Sequence, residues 1–211
     1  MYRTGVETRT AIVASAKKLF YAIGFRETTV KQICLESGTK LGTFTYYFKK
    51  KEDLFDQIYS SYMDKCCEYV DSLDLPLCDD EKIIYSVMLY YYNIYRDENI
   101  VRFHKEALLQ KYSNFVLESP REVVGGFSGC LKPDDPRYRL AVIADDAIRR
   151  ELNLRFIALY AEEGYDVRNL LKMIYFITAR LFGSDENKLR EYIEAAYQYF
   201  NSQPFINITL L

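Results

Sequence analysis

The feature that most constrains this chain is a helix broken after two turns. Apolar residues recur at helical spacing from Val30, with Val30, Ile33 and Cys34 facing inward, and Ser37-Gly38-Thr39 then interrupts the run. Gly38 suits the left-handed conformation that a tight inter-helix turn demands. Upstream, Thr29 and Gln32 form a T-x-x-Q capping box, in which hydroxyl and amide each satisfy an otherwise orphaned backbone N–H. Downstream, a third short helix is expected over roughly residues 40–47. Phe44 and Phe48, four apart, share its buried face, so Thr43, Thr45, Tyr46 and Tyr47 project at other angles. A short helix that presents hydroxyls and aromatic rings beside basic residues is equipped to enter a groove.

Helical periodicity extends to both sides of this unit. Ile12, Val13, Ala16, Leu19, Phe20 and Ile23 predict a first helix over about residues 7–23, stopped by Gly24. Lys51-Glu52-Asp53-Leu54 opens a fourth, whose apolar residues Leu54, Phe55, Ile58, Tyr62, Cys66 and Tyr69 keep one face for about five turns as a connector. A segment over 74–80 that includes Pro76 ends it. Further helices are expected over about 81–96, 99–117, 137–162, 166–182 and 186–201, with a Gly/Pro-rich loop over 120–136. No strand pattern of any length competes. The fold class is therefore all-α: a three-helix head, residues 1–50, followed by a six-helix body, residues 51–211.

Charge divides at the same boundary. Residues 1–50 hold nine basic and three acidic side chains, a net of +6; the whole chain carries −2, so residues 51–211 carry −8. A basic head on an acidic body fits a phosphate-binding module joined to a domain that does not touch nucleic acid, although a solvated charge bias gives the same sum. The five cysteines are odd in number and lack paired CxxC spacing, and His104 is the sole histidine. No metal site and no cofactor are expected, and the thiols fit a reducing, cytoplasmic setting. The N-terminus lacks a contiguous apolar run, and the most apolar later stretch, 170–182, carries Lys172 and Arg180, so neither a signal peptide nor a membrane span is expected.

Across residues 9–54 the sequence resembles the tetracycline-repressor (TetR) family of bacterial regulators. The likeness runs through Ala16-x-x-Leu19-Phe20, Gly24-Phe25, Thr28-Thr29-Val30, Ile33, Gly38, Gly42-Thr43-Phe44, Tyr46-Tyr47-Phe48 and Lys51-Glu52-Asp53-Leu54. The resemblance implies a DNA-binding head, helix 4 as a lever, and a helical body that dimerises and binds an effector. Three positions depart from the family pattern. Cys34 stands where alanine is usual, Thr39-Lys40 where valine-serine is common, and Thr45 where tyrosine is common. Lys40 lacks the hydroxyl that would cap helix 3, a loss of about 1 kcal/mol, but places a cation near phosphates or a guanine edge.

On this basis Lys40, Thr43, Thr45 and Tyr46 are candidates for base edges or adjacent phosphates of double-stranded operator DNA, with Thr29, Tyr47 and Lys51 holding the backbone. Tyr46 and Tyr47 could equally close the small three-helix core. A homodimer is expected, because two such helices about 34 Å apart read a palindrome. Helices 8 and 9 are the candidate interface, with Ile174, Ile177, Leu181, Ile193, Ala196 and Phe200; the bland alternative is a helix central to a monomeric core. An effector cavity between helices 5 and 6 would use Tyr85, Tyr92, His104 and Leu108, although core packing explains the same stripes. Asp145 with Arg149, and Asp146 with Arg150, read as i,i+4 surface salt bridges. The apolar tail, residues 205–211, can dock on the body or on a partner. Enzymatic signatures are lacking: there is no G-x-S-x-G elbow, no Walker loop and no G-x-G-x-x-G fingerprint. The leading function is an effector-released repressor; the alternative is a DNA-bound dimer whose body answers to a protein partner.

Overall fold

The computed structural model describes residues 4–110, 131–132, 134–163, 166–203 and 206–211. Helix α1 (Gly5–Ile23) starts at a capping box between Thr4 and Glu7 and stops at Gly24, whose φ of 90° admits few other residues. Helix α2 (Val30–Ser37) carries the Thr29–Gln32 capping box, and Gly38 ends it in the left-handed conformation at φ 65°, ψ 30°. Helix α3 (Leu41–Tyr47) begins at Lys40 with no side-chain cap. Helices of two turns are marginal in isolation. What holds α2 and α3 is burial of Ile33, Phe44 and Phe48 in the apolar cluster that also contains Ile12, Ala16 and Phe20 of α1.

A 3-10 turn over Lys51–Asp53 leads into α4 (Leu54–Asp71), and the body follows as α5 (Asp79–Ile94), α6 (Glu98–Leu109), α7 (Tyr138–Glu163), α8 (Val167–Phe182) and α9 (Glu186–Ser202). Helix α5 is its centre, packed against α4, α6, α8 and α9, while α8 lies between α7 and α9. Helix α6 bridges α1 of the head and α7 of the body. The helix expected over 99–117 ends at Leu109; residues 111–117 and the Gly/Pro-rich loop through 130 lie outside the described residues. The tail folds back on its own subunit: Leu210 is fully buried and Asn93 Nδ2 donates to the Ile208 carbonyl at 2.7 Å. Among the described residues, no helix is long and apolar enough to cross a membrane.

One expectation is overturned. Asp145 and Arg149 are not on the surface: they are 2% and 5% exposed. Arg149 donates to Asp145 from Nε at 3.1 Å and from Nη2 at 2.8 Å, and Thr178 of α8 donates to Asp145 Oδ1 at 2.6 Å. The i,i+4 spacing correctly places the pair on one face, but carries no information about which face points inward. Ala141, Asp145, Arg149, Asn153 and Phe156 form the buried stripe of α7, whereas Leu140 and Ile143 point outward. Asp146 and Arg150 are half-buried.

This geometry sets a stability test. Asp145→Ala leaves the Arg149 charge buried and uncompensated, which costs about 3–5 kcal/mol and lowers Tm by roughly 6–20 °C for a chain of this size. Glu151→Ala removes only the exposed ion pair to Arg155 and changes stability by less than about 1 kcal/mol. Thermal unfolding followed by circular dichroism compares them; equal Tm values contradict the buried-pair account.

Candidate nucleic-acid interface

The outward face of α3 consists of two i,i+4 pairs. Leu41 with Thr45, and Gly42 with Tyr46, project away from the side that seats Phe44. Tyr46 is 82% exposed and Leu41 53%, and Lys40 is exposed at the helix start. Among the described residues, nothing lies within 4 Å of where a Cβ on Gly42 would be, so this face is open to them. The Thr45 hydroxyl donates to its own helix at the Leu41 and Gly42 carbonyls, 3.2 and 3.1 Å away. Toward a ligand it therefore offers a lone pair and a methyl group. Thr43 and Tyr47 are half-buried, and the Tyr47 ring meets Tyr46 edge-on at 5.0 Å. Thr29 is exposed, with its hydroxyl engaged by Gln32 in the α2 cap. Leu41 is missing from the residues the sequence singled out. Its i,i+4 relation to Thr45 was the available signal, and an exposed apolar side chain there suits a thymine methyl.

Lys51, expected to hold the DNA backbone, is engaged within its own chain. Its ammonium donates to the carbonyls of Phe25 at 2.5 Å and Thr28 at 2.6 Å, and sits 4.1 Å from the centre of the Phe25 ring. Burial lowers its pKa, with Glu52, Glu106 and Glu27 opposing the shift. Lys51 is an internal strut that ties the 3-10 turn to the loop between α1 and α2.

Helix α6 holds the other side of that loop. Glu106 Oε2 accepts the Phe25 N–H at 2.6 Å, Arg102 Nη2 donates to the Tyr21 carbonyl at 2.7 Å, and Tyr21 donates to Asp97 Oδ2 at 2.9 Å. A Cβ on Gly24 would come within 3.4 Å of both Arg102 and Glu106, so glycine permits this close approach as well as the positive φ. Four aromatic rings fill the seam. Phe103 of α6 stacks on Phe20 at 5.4 Å and on Tyr59 at 5.9 Å, with Phe55 edge-on at 5.7 Å.

The four residues expected to line one effector cavity are divided by the structure. Tyr85 packs on Tyr199 and Phe200 of α9, and Tyr92 on Phe200 with Arg96 over its ring. His104 faces the other way, toward Tyr59, Tyr91 and Tyr95, and Leu108 is buried in the core. Residues 85 and 92 lie two turns apart on one face of α5, about 100° from the face that carries Tyr91 and Tyr95. On the His104 side the body contains a buried polar cluster. Tyr59 Oη is 3.0 Å from His104 Nδ1, and Asn153 joins the Tyr95 hydroxyl, 3.2 Å from its Oδ1, to Tyr91 and to the Arg149 carbonyl. Burial pushes the His104 pKa down to about 4, so the ring is neutral at ordinary pH. Among the described residues, His104 Nε2 and Arg149 Nη1 are buried without a hydrogen-bond partner.

The expected dimer residues are also divided. Ile174, Ile193, Ala196 and Phe200 are buried in the subunit's own core, because α8 and α9 pack on each other and on α5. Ile177 and Leu181 are half-buried, while Met173 and Phe176, 50% and 41% exposed, line an open groove of about 520 Å³ between α8 and α9. Arg168 and Lys172 of α8 fasten that pair of helices to Glu194 of α9.

Comparison with known proteins bears on the head first. Residues 12–58 match the family described as "Bacterial regulatory proteins, tetR family". An HTH-type transcriptional regulator of Bacillus subtilis (strain 168), YhgD, is 22% identical over 151 residues, which span 65% of this chain and 79% of that protein. Among solved structures, RolR, crystallised with resorcinol, superposes with a TM-score of 0.51 at 15% identity, covering 97% of this chain and 98% of its own. TylP, a TetR regulator from Streptomyces fradiae, gives a TM-score of 0.45 at 18% identity, with 92% and 91% covered.

The two lysines separate by experiment. On duplex DNA, Lys40→Ala weakens binding and reduces the slope of log affinity against log salt by about 1, with Tm unchanged. Lys51→Met leaves that slope intact and costs at least about 1.5–3 kcal/mol of stability, the range for a single hydrogen bond to a charged group, since two are lost. A Lys51→Met protein of parental stability and reduced slope would return this residue to the DNA face.

Proposed function

We propose that this chain, whose residues 12–58 match the tetR family of bacterial regulatory proteins, is a homodimeric repressor that occupies a palindromic operator and is released by a small-molecule effector. The observation that carries this reading is the open stripe on α3, with Lys40, Leu41, Thr45 and Tyr46 exposed together on a basic head. Such a stripe offers a cation for guanine or phosphate, a methyl group for thymine and an aromatic ring. In this reading residues 1–50 read DNA in the cytoplasm, and residues 51–211 dimerise and sense, with no catalytic chemistry and no cofactor. One α3 spans only a few base pairs, so a second copy about 34 Å away supplies the other half-site.

Dimerisation uses the α8 and α9 face through Met173 and Phe176, with Ile177 and Leu181 at the margin, since these remain available after the core is packed. The effector engages the polar cluster around Arg149 and His104, whose two unpartnered nitrogens favour a ligand that brings its own hydrogen-bonding groups. Its differential affinity for two dimer geometries, a few kcal/mol, is what shifts operator occupancy. The route to the head is short, because His104 adjoins Phe103, the ring stacked on Phe20. A second reading, regulation by a protein partner, is favoured by Leu140 and Ile143, which are exposed one turn apart on α7.

Selection of bound duplexes from a random pool, followed by sequencing and by mass measurement of the complex, tests the main reading. The expected result is one palindromic sequence with two chains per duplex. Recovery of no preferred sequence, or a one-to-one complex on an asymmetric site, would overturn it.

A further inference from the structure

We propose that the groove between α1 and α4 binds a small amphipathic anion, an alkyl carboxylate, as an input separate from the effector cluster of the body. One wall comes from α1, with Arg9, Val13 and Lys17; the other comes from α4, with Ile58, Ser61 and Lys65. The groove encloses about 450 Å³, within the ~300–1,000 Å³ typical of small-molecule clefts. Its floor is apolar at Val13 and Ile58, and its rim is cationic. No carboxylate lines it, and among the described residues neither Lys17 nor Lys65 makes an ion pair, although neighbouring Lys18 is bridged to Glu36. The two ammonium groups oppose each other: burial, and then the charge of Lys65, push the Lys17 pKa down to about 8. A like-charge pair over an apolar floor is relieved by an anion with a hydrocarbon tail.

Duplex DNA is the poorer occupant. The reading stripe of α3 lies by the start of α1, where the Tyr47 hydroxyl comes within 3.1 Å of the Cβ position on Gly5, close to the Val6 and Arg9 end of the groove and away from its lysine pair. Lys17 is twelve residues further along that helix, about 18 Å away. In the proposed pose the carboxylate lies between Lys17 and Lys65, and the alkyl chain runs over Val13 and Ile58.

Calorimetric titration of the full chain with octanoate, butyrate and octan-1-ol tests this, alongside the K17M/K65M double variant. Octanoate binds saturably at one per chain. Octan-1-ol binds at least tenfold more weakly, and butyrate loses up to about fourfold for each missing methylene. The double variant lowers octanoate affinity at least tenfold, with unfolding temperature and the salt dependence of duplex binding unchanged. The proposal fails if octan-1-ol matches octanoate, or if the double variant binds octanoate as well as the parent does. It fails equally if the double variant loses duplex salt dependence while keeping octanoate affinity, which would make the groove a track for the DNA backbone.

Discussion

Phe103 lies between the head and the body, stacked with Phe20 of α1 and with Tyr59 of α4, each pair of rings within about 20° of parallel. Around this stack, Glu106 and Arg102 satisfy a backbone N–H and a carbonyl at the end of α1 that would otherwise lack partners. The consequence is that the three-helix head does not close its own core. Phe20 and Phe25 are buried because Phe55 and Phe103, both beyond residue 50, cover them. Aromatic side chains bury on the order of 150–250 Å² each, so this seam is a large share of what holds α1 to α3 in place.

That construction links α3, through α1 and α6, to the body's interior. Helix α3 is short, uncapped at Lys40, and held by Phe44 and Phe48 on a platform whose far side is α6. Helix α6 also carries His104, which joins Tyr59 at the edge of the polar cluster on α7. Packed interiors respond to a local change by shifting between discrete arrangements, because close packing leaves no slack. In the proposed function, a ligand that draws Asn153 or Arg149 away from its present partners would act on the element that seats the head.

Local chemistry in the head was legible in the sequence because it is written in neighbouring residues. The Thr29–Gln32 box, the left-handed Gly38 and the shared face of Phe44 and Phe48 all follow from spacing within one or two turns, and each is present. The missing cap at Lys40 was legible for the same reason. Helix bounds in the body followed from apolar periodicity, mostly to within two residues. What the sequence could not disclose is which partner covers each face. Lys51 looked like a free cation because its acceptors, the carbonyls of Phe25 and Thr28, lie more than twenty residues away. Asp145 and Arg149 looked like a solvated pair because nothing local reveals that Thr178 of another helix sits over them. The apolar residues of α8 and α9 were real core residues, but periodicity cannot apportion them between the subunit's own interior and a second copy.

Through α6 the head and the body are expected to open as one cooperative structure. Native-state amide hydrogen exchange measures this directly, through the opening free energies of α1 near Phe20 and of α6 near Phe103. A common value is expected for both segments, lowered equally by Glu106→Ala. Exchange of α1 to α3 at least tenfold faster than that of α6, with α6 insensitive to the substitution, would contradict it.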